Sequence, residues 1–192
     1  MKTMACVALA IMIVGTAVDA FLPAATFRSP IGTSAPAKVV SRSSTLRMVS
    51  VGEAPPDFKL QNQSGKTVSL SSFTNKKKVV VFFYPKDSTP GCTKEVCTFQ
   101  SDLDQYKKLG AEVIGISSDA DHTAFVKEND LSFTLLSDIG GQVRKDWKVK
   151  RAAFGAMDGR VTYVIDKSGV VTKIYDNLLD GAAHSREALK AL

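Results

Sequence analysis

A run of six apolar residues, Val79 to Tyr84, places the strongest constraint on the fold. A strand with one solvated face alternates apolar and polar residues, whereas an unbroken apolar run is typical of a strand covered on both faces. The run ends at Pro85, and a polar turn leads to a segment from Cys92 to Leu109 with helical character, followed by Gly110 as its C-cap. A covered strand that leads into a helix predicts an α/β architecture.

The rest of residues 51–192 continues this alternation of short apolar runs and helical stretches. We expect, in chain order, a hairpin of Asp57–Leu60 and Lys66–Leu70, a strand over Val113–Ser117, a helix over Asp119–Glu128 with a capping aspartate, a strand over Phe133–Leu136, a helix through Trp147, a hairpin of Val161–Ile165 and Val170–Tyr175, and a final helix from His184. This order predicts a thioredoxin-like α/β fold with a mixed central sheet flanked by helices.

The N-terminal 50 residues have the composition of targeting sequences. Residues 1–20 are typical of a secretory signal peptide, with Lys2 before the apolar stretch Ala5–Val18 and a small residue at position 20. This stretch of fourteen residues is shorter than the roughly 20 apolar residues that a membrane-spanning helix needs, so we expect no stable membrane insertion. Residues 21–50 are rich in serine and alanine and contain no acidic residue, which is typical of a transit peptide.

A signal peptide followed by Phe21 and a transit-like stretch resembles the two-part leaders of proteins imported into complex, four-membrane algal plastids. We therefore expect a plastid protein with its functional domain over residues 51–192, and the secretory pathway is the alternative destination. The leader also holds most of the net charge of +6: residues 1–50 carry five basic residues against Asp19, a net of +4, which leaves +2 for the domain. A charge of +2 is too small to indicate a nucleic-acid partner.

Two cysteines remain once the leader is removed, because Cys6 lies in the predicted signal peptide. Cys92 and Cys97 cannot build a disulfide scaffold, and a domain of this length does not need one. The thiolate is the reactive form of cysteine, and the first turn of a helix offers it free N–H groups and the positive end of the helix dipole. Thr89, three residues before Cys92, can place its hydroxyl beside the sulfur.

Other uses of the cysteines are open on this reasoning alone. A structural zinc site needs four ligands, and the two histidines, His122 and His184, are not spaced as a second pair and suit surface helix caps better. A thioredoxin-type disulfide exchanger would show Cys-x-x-Cys, which is absent from this sequence. A non-enzymatic redox sensor or holdase would use the same two cysteines and is the alternative function.

Pro85, Thr89 and Cys92 stand in the spacing Pro-x-x-x-Thr-x-x-Cys, which resembles the active-site motif of the peroxiredoxins. Cys97, after four intervening residues, resembles the second cysteine of the peroxiredoxin Q group, also called bacterioferritin comigratory proteins. The similarity covers essentially all of residues 51–192. It implies a thioredoxin-like fold and a thiol-dependent peroxidase activity.

The same resemblance implies a role for each of five residues. Cys92 would be the peroxidatic cysteine and Cys97 the resolving one. Pro85 would shield the site, Thr89 would hydrogen-bond the peroxide, and Arg160 would hold the thiolate and the substrate. The substrates would be hydrogen peroxide and alkyl hydroperoxides and the reductant thioredoxin, with no metal or organic cofactor. We expect a monomer, because both cysteines lie in one chain.

The spacing of the cysteines also predicts motion. Five residues along an α-helix rise about 7.5 Å, whereas a disulfide requires Cα atoms roughly 4.4–6.8 Å apart. If Cys92 and Cys97 lie in one intact helix, they cannot bond. We therefore expect the first turns of the helix to unwind after Cys92 is oxidised to a sulfenic acid. Glu95 and Val96 occupy positions between the cysteines that vary in the family.

Overall fold

Seven strands form one mixed sheet in the computed structural model, which describes residues 49–192. The strands are β1 Lys59–Asn62, β2 Thr67–Ser69, β3 Lys78–Phe83, β4 Ala111–Ser117, β5 Thr134–Ser137, β6 Val161–Ile165 and β7 Val171–Asp176. The helices are α1 Pro90–Ser101, α2 Leu103–Lys108, α3 Thr123–Glu128, α4 Gln142–Asp146 and α5 Gly181–Leu189. Of the two predicted leader segments, residues 1–20 and 21–50, only Val49 and Ser50 lie within the described residues, and Val49 is buried in the core.

The sheet has the order β2-β1-β5-β4-β3-β6-β7. β3 pairs in parallel with β4 and antiparallel with β6, while β4 and β5 are parallel and the β1–β2 and β6–β7 hairpins are antiparallel. This arrangement confirms the predicted mixed sheet. No helix within residues 49–192 is long and apolar enough to cross a membrane.

Both faces of β3 are covered, as its unbroken apolar run predicts. Val79, Val81 and Phe83 pack into a core layer that contains Trp147, with the ring centroids of Phe83 and Trp147 5.3 Å apart. The alternate residues of the run pack on the other face, where Phe82 stacks on Phe99 of α1 at 4.3 Å. This second layer fixes α1 directly over the end of the central strand.

The predicted single helix from Cys92 to Leu109 is two helices. α1 begins at Pro90, since proline at the first helical position has a preset φ and lacks only an N–H that would be unpaired there. The break falls at Asp102, whose carboxylate accepts a hydrogen bond from the Ser185 hydroxyl of α5 at 2.6 Å. The junction of α1 and α2 is therefore held by a contact with a distant element.

The predicted start of α3 is wrong, for a similar reason. Asp119 does not cap a helix, because its carboxylate accepts hydrogen bonds from the N–H of Asp87 at 2.9 Å and the hydroxyl of Ser117 at 2.8 Å. Asp121 instead accepts from the N–H of Thr123, where α3 begins. Likewise α5 begins at Gly181 rather than at His184, with Asp180 as its capping carboxylate.

Candidate active site

Cys92 lies in the first turn of α1, just beyond the end of β3. Tyr84 still donates its N–H to the carbonyl of Ile116 at 3.1 Å, the chain bends at Pro85, and Ser88 adopts a left-handed conformation with φ of 57° that turns the chain toward the helix. The thiol side chain is 1% exposed and packs in the same core layer as Phe82. The turn that leads to Cys92 is thereby held between the central strand β3 and the helix α1.

The pairing of β3 with β6 brings Arg160 close to Cys92. It precedes β6, and because Val161 is paired with Phe83, the residue before it lies at the same end of the sheet as the turn that leads to Cys92. Its side chain is 4% exposed. Nη2 donates to the Cys92 sulfur at 3.3 Å and Nε donates to the carbonyl of Leu178 at 3.1 Å. A guanidinium at this distance stabilises negative charge on the sulfur.

A cavity of about 530 Å³ opens onto this cysteine. Its lining includes four of the five predicted site residues, namely Pro85, Thr89, Cys92 and Arg160. The hydroxyl of Thr89 donates to the carbonyl of Lys86 at 3.1 Å within the turn. The cavity is far larger than hydrogen peroxide requires, given that one water occupies about 30 Å³ of liquid.

One wall of the cavity is apolar and open to solvent. Met157, Leu178 and Leu179 line it, and Leu179 is 91% exposed while Met157 is 47% exposed. The loop that carries Met157 therefore faces the site. Exposed apolar side chains gathered at one cavity are typical of a binding surface.

Cys97 lies elsewhere on α1 and is not part of the cavity lining. Its side chain is half-buried, and its thiol lies 3.6 Å from the amide oxygen of Asn129. Both Cys92 and Cys97 are free thiols within an intact α1. The structure therefore describes the reduced, wound state of the helix.

Glu95 contacts Arg160, which its place between the cysteines in the sequence does not suggest. Its side chain is fully buried, and its Oε2 accepts a hydrogen bond from Arg160 Nη1. Burial raises the pKa of Glu95 to about 8, although the charge of Arg160 opposes the shift. A spacing of three residues places Glu95 and Cys92 on one face of a helix, but it does not identify Arg160 as the partner of Glu95.

The two histidines are buried, so the prediction of surface helix caps is wrong. His184 Nε2 lies 2.8 Å from the carbonyl oxygen of Asn177, and Nδ1 lies 2.7 Å from the Thr162 hydroxyl. His122 Nδ1 lies 2.8 Å from the Asp87 carboxylate. Within residues 49–192, no group of three or more histidine, cysteine, aspartate or glutamate side chains is placed to hold a metal ion.

Arg144 is a second buried arginine near the site, and nothing in the sequence pattern marked it. Its two terminal nitrogens donate to the carbonyls of Gly159 and Tyr84, each at 2.8 Å. Burial lowers its pKa, against the opposing charge of Asp158. Arg144 thus ties the end of β3 to the residue before Arg160, which keeps Arg160 in register with Cys92.

A buried thiol in the first turn of a helix, with a guanidinium against its sulfur and a cavity open to it, defines a thiol-dependent oxidoreductase on a thioredoxin-like fold. The comparisons with known proteins narrow this class. Residues 51–174 match the AhpC/TSA family. The chain belongs to that family, and to the peroxiredoxin Q group of thiol-dependent peroxidases within it.

Individual relatives agree with this assignment. The chain is 48% identical to chloroplastic peroxiredoxin Q of Sedum lineare over 174 residues, which cover 90% of each chain. It is 55% identical to chloroplastic peroxiredoxin Q of Triticum aestivum over 146 residues, which cover 75% of this chain and 67% of the relative. Among solved structures, peroxidoxin BcpB of Mycobacterium tuberculosis superposes with a TM-score of 0.68 at 34% identity, covering 76% of this chain and 96% of that one.

Proposed function

We propose that this protein reduces hydrogen peroxide and organic hydroperoxides through Cys92, with Cys97 as the resolving cysteine and thioredoxin as the reductant. The observation that carries the proposal is the contact of 3.3 Å between Arg160 Nη2 and the Cys92 sulfur at the floor of an open cavity. It supplies a stabilised nucleophile and room for a substrate in one place.

In the first step the Cys92 thiolate attacks the terminal oxygen of the hydroperoxide. The O–O bond breaks, Cys92 becomes a sulfenic acid, and the remaining oxygen takes a proton and leaves as water or an alcohol. Charge builds on both oxygens as this bond lengthens, so donors on both are needed. Arg160, the N–H of Cys92 and the Thr89 hydroxyl supply them, with Thr89 turning from the carbonyl of Lys86, and Pro85 shields the site.

In the second step Cys97 attacks the oxidised sulfur of Cys92. A disulfide forms, and the sulfenic oxygen leaves as water. Since both cysteines lie in α1 five residues apart, they are about 7.5 Å apart along the helix axis, and the first turns of α1 unwind to bring them together. Thioredoxin then restores both thiols by exchange.

The apolar wall of the cavity supports organic hydroperoxides as substrates. Met157, Leu178 and Leu179 offer an alkyl chain a surface beside the sulfur. A bacterioferritin comigratory protein of Xanthomonas campestris, with a TM-score of 0.63 and 28% identity over 70% of this chain and 88% of that one, is described in terms of its alkyl peroxide reduction activity.

The chloroplastic relatives and the two-part leader support a plastid location, with residues 1–20 as the signal peptide, residues 21–50 as the transit segment and residues 51–192 as the functional domain. The two-part form of the leader favours a complex plastid. We further propose that the protein acts as a monomer, because one chain holds both cysteines of the cycle.

Peroxide consumption by the purified full chain, with thioredoxin, thioredoxin reductase and NADPH, tests the cycle. Cys92→Ser is expected to abolish turnover. Cys97→Ser is expected to stop after one turnover unless a small thiol is supplied. Absence of turnover in the wild type, with the disulfide still forming under peroxide, would favour the sensor or holdase over the peroxidase cycle.

A further inference from the structure

Glu95 shares one guanidinium with Cys92. Arg160 Nη1 donates to Glu95 Oε2, while Arg160 Nη2 donates to the Cys92 sulfur. Cys92 and Glu95 lie three residues apart on one face of α1, and both are buried. Because a buried, charge-assisted contact has strict geometry, Glu95 and the carbonyl of Leu178, which accepts from Arg160 Nε at 3.1 Å, together set where the guanidinium points.

No other described neighbour competes with Arg160 for this carboxylate. The carbonyl oxygen of Asn177 can only accept a hydrogen bond, so the His184 Nε2 beside it carries a proton. Burial lowers the pKa of His184 to about 4, so the ring is neutral and its Nδ1 accepts from Thr162. Nδ1 therefore has no proton for Glu95 Oε1, which lies 3.7 Å away and accepts no hydrogen bond within residues 49–192.

Glu95 also lies inside the segment that changes shape in the proposed cycle. The disulfide requires the turns between Cys92 and Cys97 to unwind, and the present inference rests on that proposed function. Unwinding moves the backbone that carries Glu95, so the carboxylate cannot stay on Arg160. The contact that aims Arg160 at the sulfur must therefore break before Cys97 can reach Cys92.

We propose that Glu95 is a positioning residue that ties the peroxide-reactive arrangement of Arg160 to the wound state of α1. While the helix is wound, Glu95 holds Arg160 against Cys92 and speeds the attack on peroxide. The same contact resists unwinding and slows formation of the disulfide. Loss of Glu95 moves the two steps in opposite directions, which a general loss of stability would not do.

Rapid-quench mass spectrometry of the full chain during a single turnover separates the two steps, because the sulfenic acid adds an oxygen and the disulfide then loses water. Glu95→Ala is expected to slow sulfenic-acid formation about tenfold and to speed disulfide formation severalfold, the size typical of one lost charge-assisted hydrogen bond. The experiment is run at pH 9, above the pKa of about 8 that burial gives Glu95, so that the wild-type carboxylate is ionised. Glu95→Gln keeps an acceptor oxygen without the charge, so it is expected between the wild type and Glu95→Ala in both steps.

Val96→Ala is the matched control. Val96 is the next residue of α1 and is fully buried, but its side chain is apolar and makes no hydrogen bond. Its truncation weakens the packing of the helix without touching Arg160. We expect it to speed disulfide formation while sulfenic-acid formation stays within about twofold of wild type, since no charge-assisted contact is lost.

The outcomes separate this inference from the proposed function. If the wild type forms no sulfenic acid with peroxide, the proposed function fails. If the wild type completes both steps but Glu95→Ala slows both, or leaves sulfenic-acid formation unchanged, the positioning role is overturned. Should Glu95→Ala not fold, Glu95→Gln decides alone: shifts in opposite directions support the role, and parallel shifts or none overturn it.

Discussion

The surroundings of Cys92 and Cys97 differ far more than their five-residue separation in one helix suggests. Cys92 is 1% exposed and has the guanidinium of Arg160 at 3.3 Å from its sulfur. Cys97 is half-buried, and its thiol lies 3.6 Å from an uncharged amide oxygen of Asn129. The helix supplies a dipole that fades within the first turn. The neighbours from other elements therefore decide which thiol is prepared to attack a peroxide.

The largest effect is expected when the positive charge of Arg160 beside the Cys92 sulfur is removed. Arg160→Met keeps much of the apolar side chain but removes every donor. Since loss of one preorganised donor costs roughly 10²–10³ in rate, we expect the rate of peroxide reduction to fall by about that factor. Stopped-flow measurement of peroxide consumption checks this.

Arg186→Met is the control, because Arg186 lies on α5 with its side chain 57% exposed and, among the described residues, its ion pair is with Asp180 at the surface. Its rate should stay near that of the wild type. If Arg160→Met kept the wild-type rate, the charge contrast between the two cysteines would not explain their roles.

The second test uses acid, because the network behind Cys92 contains a buried neutral imidazole. Burial lowers the pKa of His184 to about 4, below its ordinary value of 6.5. Between pH 6.5 and pH 4 the folded state therefore binds fewer protons at His184 than the unfolded state does. The stability that the neutral His184 ring contributes is fully present above pH 6.5 and is lost as the pH falls through 4. His184→Gln lacks this titration. The difference in unfolding free energy between wild type and variant should change by about 2–3 kcal/mol in favour of the variant from pH 7 to 4.5.

Urea unfolding at the two pH values measures this difference, and every other titrating group cancels between the two proteins. His122 offers a comparison, since the hydrogen bond and charge of Asp87 outweigh burial and raise its pKa. The variant His122→Gln should therefore show no such gain relative to the wild type on acidification. Equal behaviour of the two variants would mean that the imidazole of His184 is not held neutral.

The strand, turn and helix start that surround Cys92 could be predicted from the sequence, because the patterns that indicate them are local. The six-residue apolar run predicted a strand covered on both faces, and the spacing of Pro85, Thr89 and Cys92 indicated the active-site turn that follows it. The polar network behind the cysteine could not be predicted in this way. Glu95, His184 and their contacts depend on how α5 and β6 pack against α1, which no local pattern encodes. The break at Asp102 has the same origin, since a hydroxyl from α5 holds it.

A substitution at Gly181 tests the packing of α5 against α1 directly. A methyl group added there would lie 2.7 Å from the carbonyl oxygen of Gly91, 3.0 Å from Glu95 Cβ and 3.1 Å from Arg160 Nη1. Gly181→Ala therefore forces α5 and α1 apart. We expect a loss of about 1–3 kcal/mol in unfolding free energy, as for an overpacked core, together with slower oxidation of Cys92. Urea unfolding and stopped-flow kinetics measure the two effects.

The control for Gly181→Ala is Gly110→Ala. Gly110 has a left-handed φ of 69° and nothing within 4 Å of an added methyl group, so alanine there costs roughly 1–2 kcal/mol through backbone strain alone. It should lower stability without changing the oxidation of Cys92. If both variants slowed oxidation equally, the slowing would reflect stability rather than the contact between α5 and α1.

The smallest effect is expected on the Cys97 side. Asn129 offers Cys97 only a weak contact at 3.6 Å, and its amide nitrogen donates to the carbonyl of Phe125 at 2.9 Å. Asn129→Ala should cost about 1 kcal/mol of stability, the usual net worth of one hydrogen bond, and should leave the first step unchanged. Disulfide formation, followed by thiol alkylation and mass spectrometry, should change by no more than about threefold, because a thiol is a weak donor. In the proposed cycle Cys97 reacts only after α1 has unwound, so its resting contacts would have little influence on the reacting geometry. A loss as large as that of Arg160→Met would show instead that Cys97 is also prepared by its surroundings, and the contrast between the two thiols would no longer hold.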